Sequence, residues 1–369
     1  IIPPIFVGEF GKWFHRALIF LVVSCPCALV ISIPLSFFSG IGGASKAGIL
    51  VKGSNYLELL GKAKIAVFDK TGTLTKGVFK VVETCTNGIS EDDLLELAAY
   101  GEYYSNHPIA ASIKAAYKGT VQIDHLDGYE EISGMGIKVL KDGKEVLVGN
   151  KKLLDSRKIS MAGAKQPSKV GTVLFVAENG AYKGCITIAD EIKDGVKDAI
   201  ASIKKCGIDN VVMLTGDKKE VADSVAKELG IDTVCAELMP GDKVDKVEQL
   251  LREKDEDSTL IFTGDGINDA PVLMRADVGI AMGAMGQDAA IEAADIVLID
   301  DDPGKIAVAY AIARKTVRIV QQNIVFALAV KIIVMVLGAL GFANMWAAVF
   351  ADVGVAFLAI INATRALKP

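Results

Sequence analysis

Apolar residues are unevenly spread along this 369-residue chain, crowding toward both ends around a charged middle. Residues 17–38 carry no charge, and a helix crossing a bilayer core needs about 20 such residues. Pro26 and Pro34 interrupt the stretch and no small-residue cleavage site closes it, so it does not read as a signal peptide. Residues 324–343 form a second apolar span broken only by Lys331, and residues 345–363 a third broken only by Asp352. The link Gly341-Phe342-Ala343-Asn344 predicts that these two form a helical hairpin. Residues 1–7 read as the tail of an earlier helix. Lys46 and Lys52 follow the first span, Arg314, Lys315 and Arg318 precede the second, and Arg365 and Lys368 follow the third. The positive-inside rule therefore predicts that residues 39–323 face the cytoplasm, with Lys12 and Arg16 opposing the bias slightly.

Between the spans the pattern changes to short apolar runs closed by Gly, Thr and Asp, as strands ending in turns require. Residues 65–68, 211–214 and 260–262 read as buried strands. Strand-like runs at 78–83, 136–140, 145–148, 172–177 and 181–187, with helical runs at 90–104 and 108–118, predict an independent α/β lobe inserted into the first sheet. The connections near Gly77 and near Ala189-Asp190 are expected to be its hinges.

A net charge of −5 provides no basic field, so no nucleic-acid partner is expected. Six cysteines stand at 25, 27, 85, 185, 206 and 235. The last four read as isolated buried thiols of a reducing compartment. Only Cys25 and Cys27 are close together, so neither a disulfide framework nor a zinc-ribbon spacing is predicted.

Cys25-Pro26-Cys27 lies in mid-span. Pro26 has no N–H, which is expected to leave the Val22 carbonyl without its helical partner. Unwound backbone at that depth is tolerated only inside protein or along a cavity. As thiolates, Cys25 and Cys27 are soft ligands for zinc, cadmium, lead or cuprous ions. The plainer reading is a kinked helix with two small buried thiols. Asp352 and Lys331 each cost about 2.5–3.5 kcal/mol at a helix centre on insertion scales, so both are expected to face the bundle interior. Asp352 adds a hard oxygen, and the mixed S/S/O set favours a divalent ion over cuprous copper. Lys331 cannot bind a cation while protonated. It is expected to serve as counter-ion to Asp352 and the thiolates in the empty site, or else to glue the hairpin through an ion pair.

Asp69-Lys70-Thr71-Gly72-Thr73-Leu74-Thr75 follows the run at 65–68. A carboxylate at a strand end, facing a Gly/Thr turn, can attack a phosphoryl group and become an aspartyl phosphate. The turn offers hydroxyls and backbone N–H groups to phosphate oxygens. A solvated turn Asp is the bland alternative. The full heptapeptide is the phosphorylation signature of P-type ATPases, and the chain resembles that family. Cys25-Pro26-Cys27, Asn323 with Lys331 eight positions on, and Asp352-Val353-Gly354 resemble its zinc, cadmium and lead branch. The Tyr-Asn and Met-Ser-Ser of the copper branch do not occur.

Thr215-Gly216-Asp217 and Thr263-Gly264-Asp265-Gly266-Ile267-Asn268-Asp269-Ala270-Pro271 each follow a strand-like run, with Lys243 between them. Three strand ends would thus deliver carboxylates and hydroxyls to one edge of a parallel sheet. Asp69 is the expected nucleophile, with Lys70 and Thr71 beside it. Asp69, Asp265 and the Thr71 carbonyl suit Mg²⁺, a hard ion. Thr215 and Lys243 would hold the transferred phosphoryl oxygens, within the Thr215-Gly216-Asp217 turn. Asn268 and Asp269 would complete the pocket. These roles match those the resemblance implies. Soluble phosphatases of the haloacid dehalogenase-like fold carry Asp where Thr71 stands, so the phosphoenzyme is expected to hydrolyse slowly.

For the inserted lobe the resemblance implies a nucleotide-binding domain. Ser105-Asn106-His107-Pro108, Glu102 five residues before His107, Gly134-Met135-Gly136 and Gly149-Asn150 match the family's ATP contacts. An imidazole can stack on adenine, a carboxylate can accept its amine, and Gly134, Gly136 and Gly149 would admit phosphates to the backbone. His15 and His125 lack such context and read as structural.

The fold class expected is an α/β cytoplasmic part, a haloacid dehalogenase-like doubly wound parallel sheet with an inserted α/β nucleotide lobe, plus α-helical membrane segments. The boundaries expected are a membrane helix with its cytoplasmic extension over 1–60, a phosphorylation domain over 61–79 and 188–312, a nucleotide domain over 80–187 and a membrane hairpin over 313–369. The resemblance implies ATP-driven export of Zn²⁺, Cd²⁺ or Pb²⁺ across a cell membrane. Membrane lipid and the transported ion are the partners, together with an actuator domain and N-terminal membrane helices of the same pump, since no Thr-Gly-Glu actuator loop and no Cys-x-x-Cys occur here. The competing readings are a membrane-anchored nucleotide- and metal-binding module that does not pump, and a copper pump.

Overall fold

The computed structural model describes residues 9–105, 107–265, 269–283 and 288–368. Its strands are β1 (Ile49–Val51), β2 (Ala63–Asp69), β3 (Thr75–Thr86), β4 (Leu126–Ile132), β5 (Gly136–Lys141), β6 (Lys144–Gly149), β7 (Thr172–Glu178), β8 (Ala181–Ile192), β9 (Asn210–Leu214), β10 (Thr233–Cys235), β11 (Thr259–Gly264), β12 (Val278–Met282) and β13 (Ile296–Leu298). One sheet runs β1-β13-β12-β11-β2-β9-β10 and is parallel apart from β1. The other runs β3-β8-β7-β6-β5-β4 and is antiparallel throughout.

The central parallel strands are apolar nearly without break because both faces are covered by helices. Phe68, Met213, Ile261 and Ile280 meet Val196, Ile200, Ala222 and Ile312 on one face. Val67, Val212, Leu260 and Phe262 meet Val247, Leu250, Val272 and Leu273 on the other. This is the doubly wound arrangement expected. The strands β10, β12 and β13 were not anticipated: three to five apolar residues cannot be told from a helix segment by periodicity. Nor was β4, a mostly exposed edge strand whose acidic residues blunt the sheet.

Gly77 and Ala189-Asp190, where the hinges of the inserted lobe are expected, lie inside β3 and β8, which pair with each other as Phe79↔Asp190 and Lys80↔Ala189. The two crossings between the sheets therefore form one hydrogen-bonded ribbon, with register shifts between Thr75 and Phe79 and between Val81 and Glu83. The helix expected at 90–104 spans Glu91–Gly101. Ser90 starts it with a capping box, its hydroxyl accepting from Asp93 N at 3.1 Å. The helix expected from Pro108 ends at Ala116.

Among the described residues, three helical stretches are long and apolar enough to cross a membrane: Phe10–Lys46, Gly304–Leu340 and Met345–Leu367. The first breaks at Ser24-Cys25-Pro26 into helices Phe10–Val23 and Cys27–Lys46. The third is helical over Met345–Val349 and Val355–Ala363, with a wide turn, Phe350–Gly354, around Asp352. Leu21, Val30, Ile332, Trp346 and Phe357 point outward as a lipid-facing surface needs, while small residues such as Ala28, Ala327, Ala348 and Ala351 fill the helix contacts. Helix Gly304–Leu340 does double duty. Its first half packs Ile306, Ala309, Ile312 and Ala313 into the parallel-sheet core, and its second half buries Asn323, Ala327, Lys331 and Val334 in the bundle.

Candidate functional site

Strands β2, β9 and β11 are adjacent and parallel, so Asp69, Thr215 and Asp265 emerge at one sheet edge. Lys243, in the first turn of helix Pro240–Glu253, places Nζ 2.6 Å from Asp69 Oδ1 and 2.9 Å from Asp269 Oδ1. Asp69, Asp265 and Asp269 offer carboxylate oxygens all within 4.8 Å of one another. Burial, then the charge of Asp269, pushes Asp69 up to about 7 despite the opposing Lys243, and the same two causes push Asp265 up to about 6. Burial works against the charge on Lys243, but Asp69 and Asp269 outweigh it and leave its pKa raised. Three hard oxygens under mutual repulsion suit Mg²⁺. Asp269 therefore joins the carboxylate cluster, a place the sequence reading reserved for Asp69, Asp265 and the Thr71 carbonyl. Asn268 lies outside the described residues.

The turn after Asp69 is shaped around Asp265. Gly72 has φ +75°, and a Cβ there would overlap the Asp265 carboxylate. Lys70 is buried and turns to Asp217 Oδ2 at 2.6 Å and Asp190 Oδ2 at 3.6 Å. Thr215 Oγ1 accepts from Asp217 N at 3.1 Å. The hydroxyls of Thr73 and Thr263 are buried at the same edge without a hydrogen-bond partner among the described residues. Two groups were not read from the sequence as part of this site. Asp190 holds the Thr75 hydroxyl, and Lys193 donates through Nζ to the Gly72 carbonyl. Burial lowers the Lys193 pKa, against the pull of Asp301, Asp265 and Asp190.

In the antiparallel lobe, Glu102 follows helix Glu91–Gly101 and is 7 % exposed. Burial raises its pKa, eased by a Ser105 hydrogen bond and the nearby His107. His107 Nδ1 accepts from Ile109 N at 3.2 Å and so caps helix Pro108–Ala116, leaving the ring exposed. Asn106 lies outside the described residues. Gly136 and Gly149 are cross-strand partners, and a Cβ on either would strike the other's backbone. Asn150 donates from Nδ2 to the Gly134 carbonyl at 2.8 Å and caps helix Lys151–Ser156. These four residues thus come together, with contacts chiefly to one another. A cleft of about 720 Å³ opens between the sheets, lined by Lys70, Asp190 and Asp217 on one side and by Asn150, Lys151 and Lys152 on the other. The paired lysines after Asn150 were the signal available for it.

In the membrane bundle, Cys25, Cys27 and Asp352 lie within 4.8 Å of one another through their ligand atoms. Cys25 and Cys27 are joined as a disulfide, against the expectation of two thiols. The helix break sets their Cα atoms 5.5 Å apart with both side chains on one side. Thiolate ligation from this form needs two-electron reduction. A second correction concerns the backbone. Val22 O is reached by Cys25 N at 3.3 Å, and the carbonyls that turn inward are those of Val23 and Cys25. Both accept from Lys331 Nζ, the former at 3.2 Å, and the same Nζ lies 3.5 Å from Asp352 Oδ1. Asn323 donates to the Ala359 carbonyl at 3.1 Å and tightens the hairpin below.

Residues 63–277 match the model of the haloacid dehalogenase-like hydrolases. The whole chain is 55 % identical to part of the cadmium, zinc and cobalt-transporting ATPase of Bacillus subtilis and 53 % identical to part of the zinc-transporting ATPase of Synechocystis. It covers 52 % and 51 % of those proteins, so the chain spans about half the length of these relatives. The crystal structure of a zinc-transporting PIB-type ATPase in the E2·Pi state superposes over the full chain with a TM-score of 0.85 at 34 % identity, with 60 % of that structure covered. The chain therefore belongs to the haloacid dehalogenase-like hydrolases, and is homologous over its entire length to the cadmium- and zinc-transporting P-type ATPases.

Proposed function

We propose that this chain is the energy-transducing half of an ATP-driven exporter of divalent soft metals, with Asp69 as the phosphorylated residue. The observation that carries the reading is the buried Asp69 held by Lys243 at the edge where β2, β9 and β11 end. In this reading the parallel sheet is the phosphorylation domain and the antiparallel lobe binds ATP. Its polyphosphate lies in the cleft between Lys70 and Lys151-Lys152, and its base lies near Glu102 and His107. An Asp69 carboxylate oxygen attacks the γ-phosphorus, the bond from that phosphorus to the β,γ-bridging oxygen breaks, and ADP leaves. Lys243 follows the transferred group as a point charge, and Thr215 offers a hydroxyl to its oxygens. Mg²⁺, which Asp69, Asp265 and Asp269 would hold, supplies charge neutralisation on the phosphate oxygens. No carboxylate stands at Thr71 to activate water, which keeps the phosphoenzyme long-lived.

The transported zinc, cadmium or lead ion would sit between reduced Cys25, Cys27 and Asp352. Lys331, already on the Val23 and Cys25 carbonyls, releases its weaker contact with Asp352 as the ion enters and serves as counter-ion when it leaves. The cytoplasmic face carries both sheets, in a plasma membrane, by the charges of Lys46, Lys52, Arg314 and Arg318. The actuator and the remaining membrane helices belong to the same pump. Labelling the full-length protein with γ-labelled ATP and zinc under reductant tests this. An acid-stable, hydroxylamine-labile phosphoenzyme should form and vanish in Asp69→Asn. Equal labelling in that variant would refute the assignment of Asp69.

A further inference from the structure

Where helix Gly304–Leu340 leaves the parallel sheet, a pocket of about 260 Å³ is lined by Lys205, Cys206, Tyr310, Arg314, Lys315 and Arg318. Four of these side chains are cationic and none is acidic, in a chain whose net charge is −5. No carboxylate neutralises any of the four among the described residues. Arg314 donates one N–H to the Cys206 carbonyl and lies 5.8 Å from the Tyr310 ring centroid, which leaves further guanidinium donors. Lys315 donates to the Lys368 carbonyl at 2.7 Å. Lys205 and Arg318 are exposed and bond no partner among the described residues. Asp209, the nearest acid in sequence, is held by Lys64 at 3.0 Å. Such a set costs mutual repulsion unless an anion completes it.

Its height identifies the anion. Arg318 stands six residues before Ile324, where the apolar span begins, or about 9 Å along the helix axis. That is within side-chain reach of the headgroup layer. We propose that this pocket binds the phosphate headgroup of an anionic phospholipid in the leaflet facing the sheets. The bound lipid bridges the C-terminal end of helix Val196–Lys205 to the long helix, and so ties the parallel sheet to the bilayer surface. Phosphatidylglycerol- or cardiolipin-like headgroups fit, because basic pockets beside membrane helices recognise charge and phosphate oxygens together. The site is separate from the metal and phosphorylation sites, so its test reads lipid, not turnover.

Native mass spectrometry of the full-length protein, released from nanodiscs of phosphatidylcholine doped with phosphatidylglycerol, counts retained anionic lipid. The unsubstituted protein should retain it in preference to phosphatidylcholine. Lys205→Gln/Arg318→Gln removes two cations that hold no bond among the described residues. It should weaken retention about fivefold per cation. Lys118→Gln/Lys158→Gln, both exposed and both in the antiparallel lobe, should retain lipid as the unsubstituted protein does. Equal retention in Lys205→Gln/Arg318→Gln would overturn the proposal. Displacement of the lipid by inorganic phosphate as readily as by phosphatidylglycerol would also overturn it, by identifying a free anion as the ligand.

Discussion

At Gly72 a single missing methyl group decides the geometry of the carboxylate cluster. The residue holds φ +75° with the Asp265 carboxylate where a Cβ would stand. Gly72→Ala must either push Asp265 away from Asp69 and Asp269 or twist the turn that presents Asp69. Misplacing a reacting group by about 1 Å can cost roughly a hundredfold. Gly72→Ala should lower the initial rate of ATP-dependent phosphorylation by about that much, with zinc binding in the membrane unchanged. A normal labelling rate would mean that the close approach of Asp265 is incidental. Much of this cluster was legible because the Asp69 and Asp265 motifs are contiguous in sequence. Asp190 and Lys193 were not: they reach the Asp69 turn from 115 and 121 positions beyond their partners Thr75 and Gly72, through tertiary packing alone.

At the scale of elements, Pro26 breaks a helix that would otherwise run from Phe10 to Lys46. The break turns the Val23 and Cys25 carbonyls inward, where Lys331 meets them. Pro26→Ala restores an N–H and lets the helical ladder close. That variant should lose most zinc binding under reductant, measured by metal content after desalting, while ATP binding to the lobe persists. Unchanged zinc content would show that the break does not assemble the site. The break was legible, since proline chemistry is local. The wide turn at Phe350–Gly354 was not, because weak helix formers such as Asp352 and Gly354 do not say how a helix will relax around them. The pairing of β3 with β8 at the two crossings was not legible either, since a strand pair is a long-range contact, invisible to local composition.

Across the whole molecule, helix Gly304–Leu340 is the mechanical link. Its 37 residues reach about 55 Å, from the parallel-sheet core to Lys331 and beyond. In the proposed function, a shift of the sheet on phosphorylation would move the same helix that carries Lys331 relative to Asp352, as coupling through a rigid element requires. The account therefore stands on communication between Asp352 and Asp69. The decisive measurement is zinc-stimulated phosphorylation of Asp69 from ATP in the full-length protein, under reductant, with and without Asp352→Asn. The account predicts that zinc no longer stimulates labelling in the variant, although nucleotide still binds. Equal zinc stimulation in both proteins would contradict it.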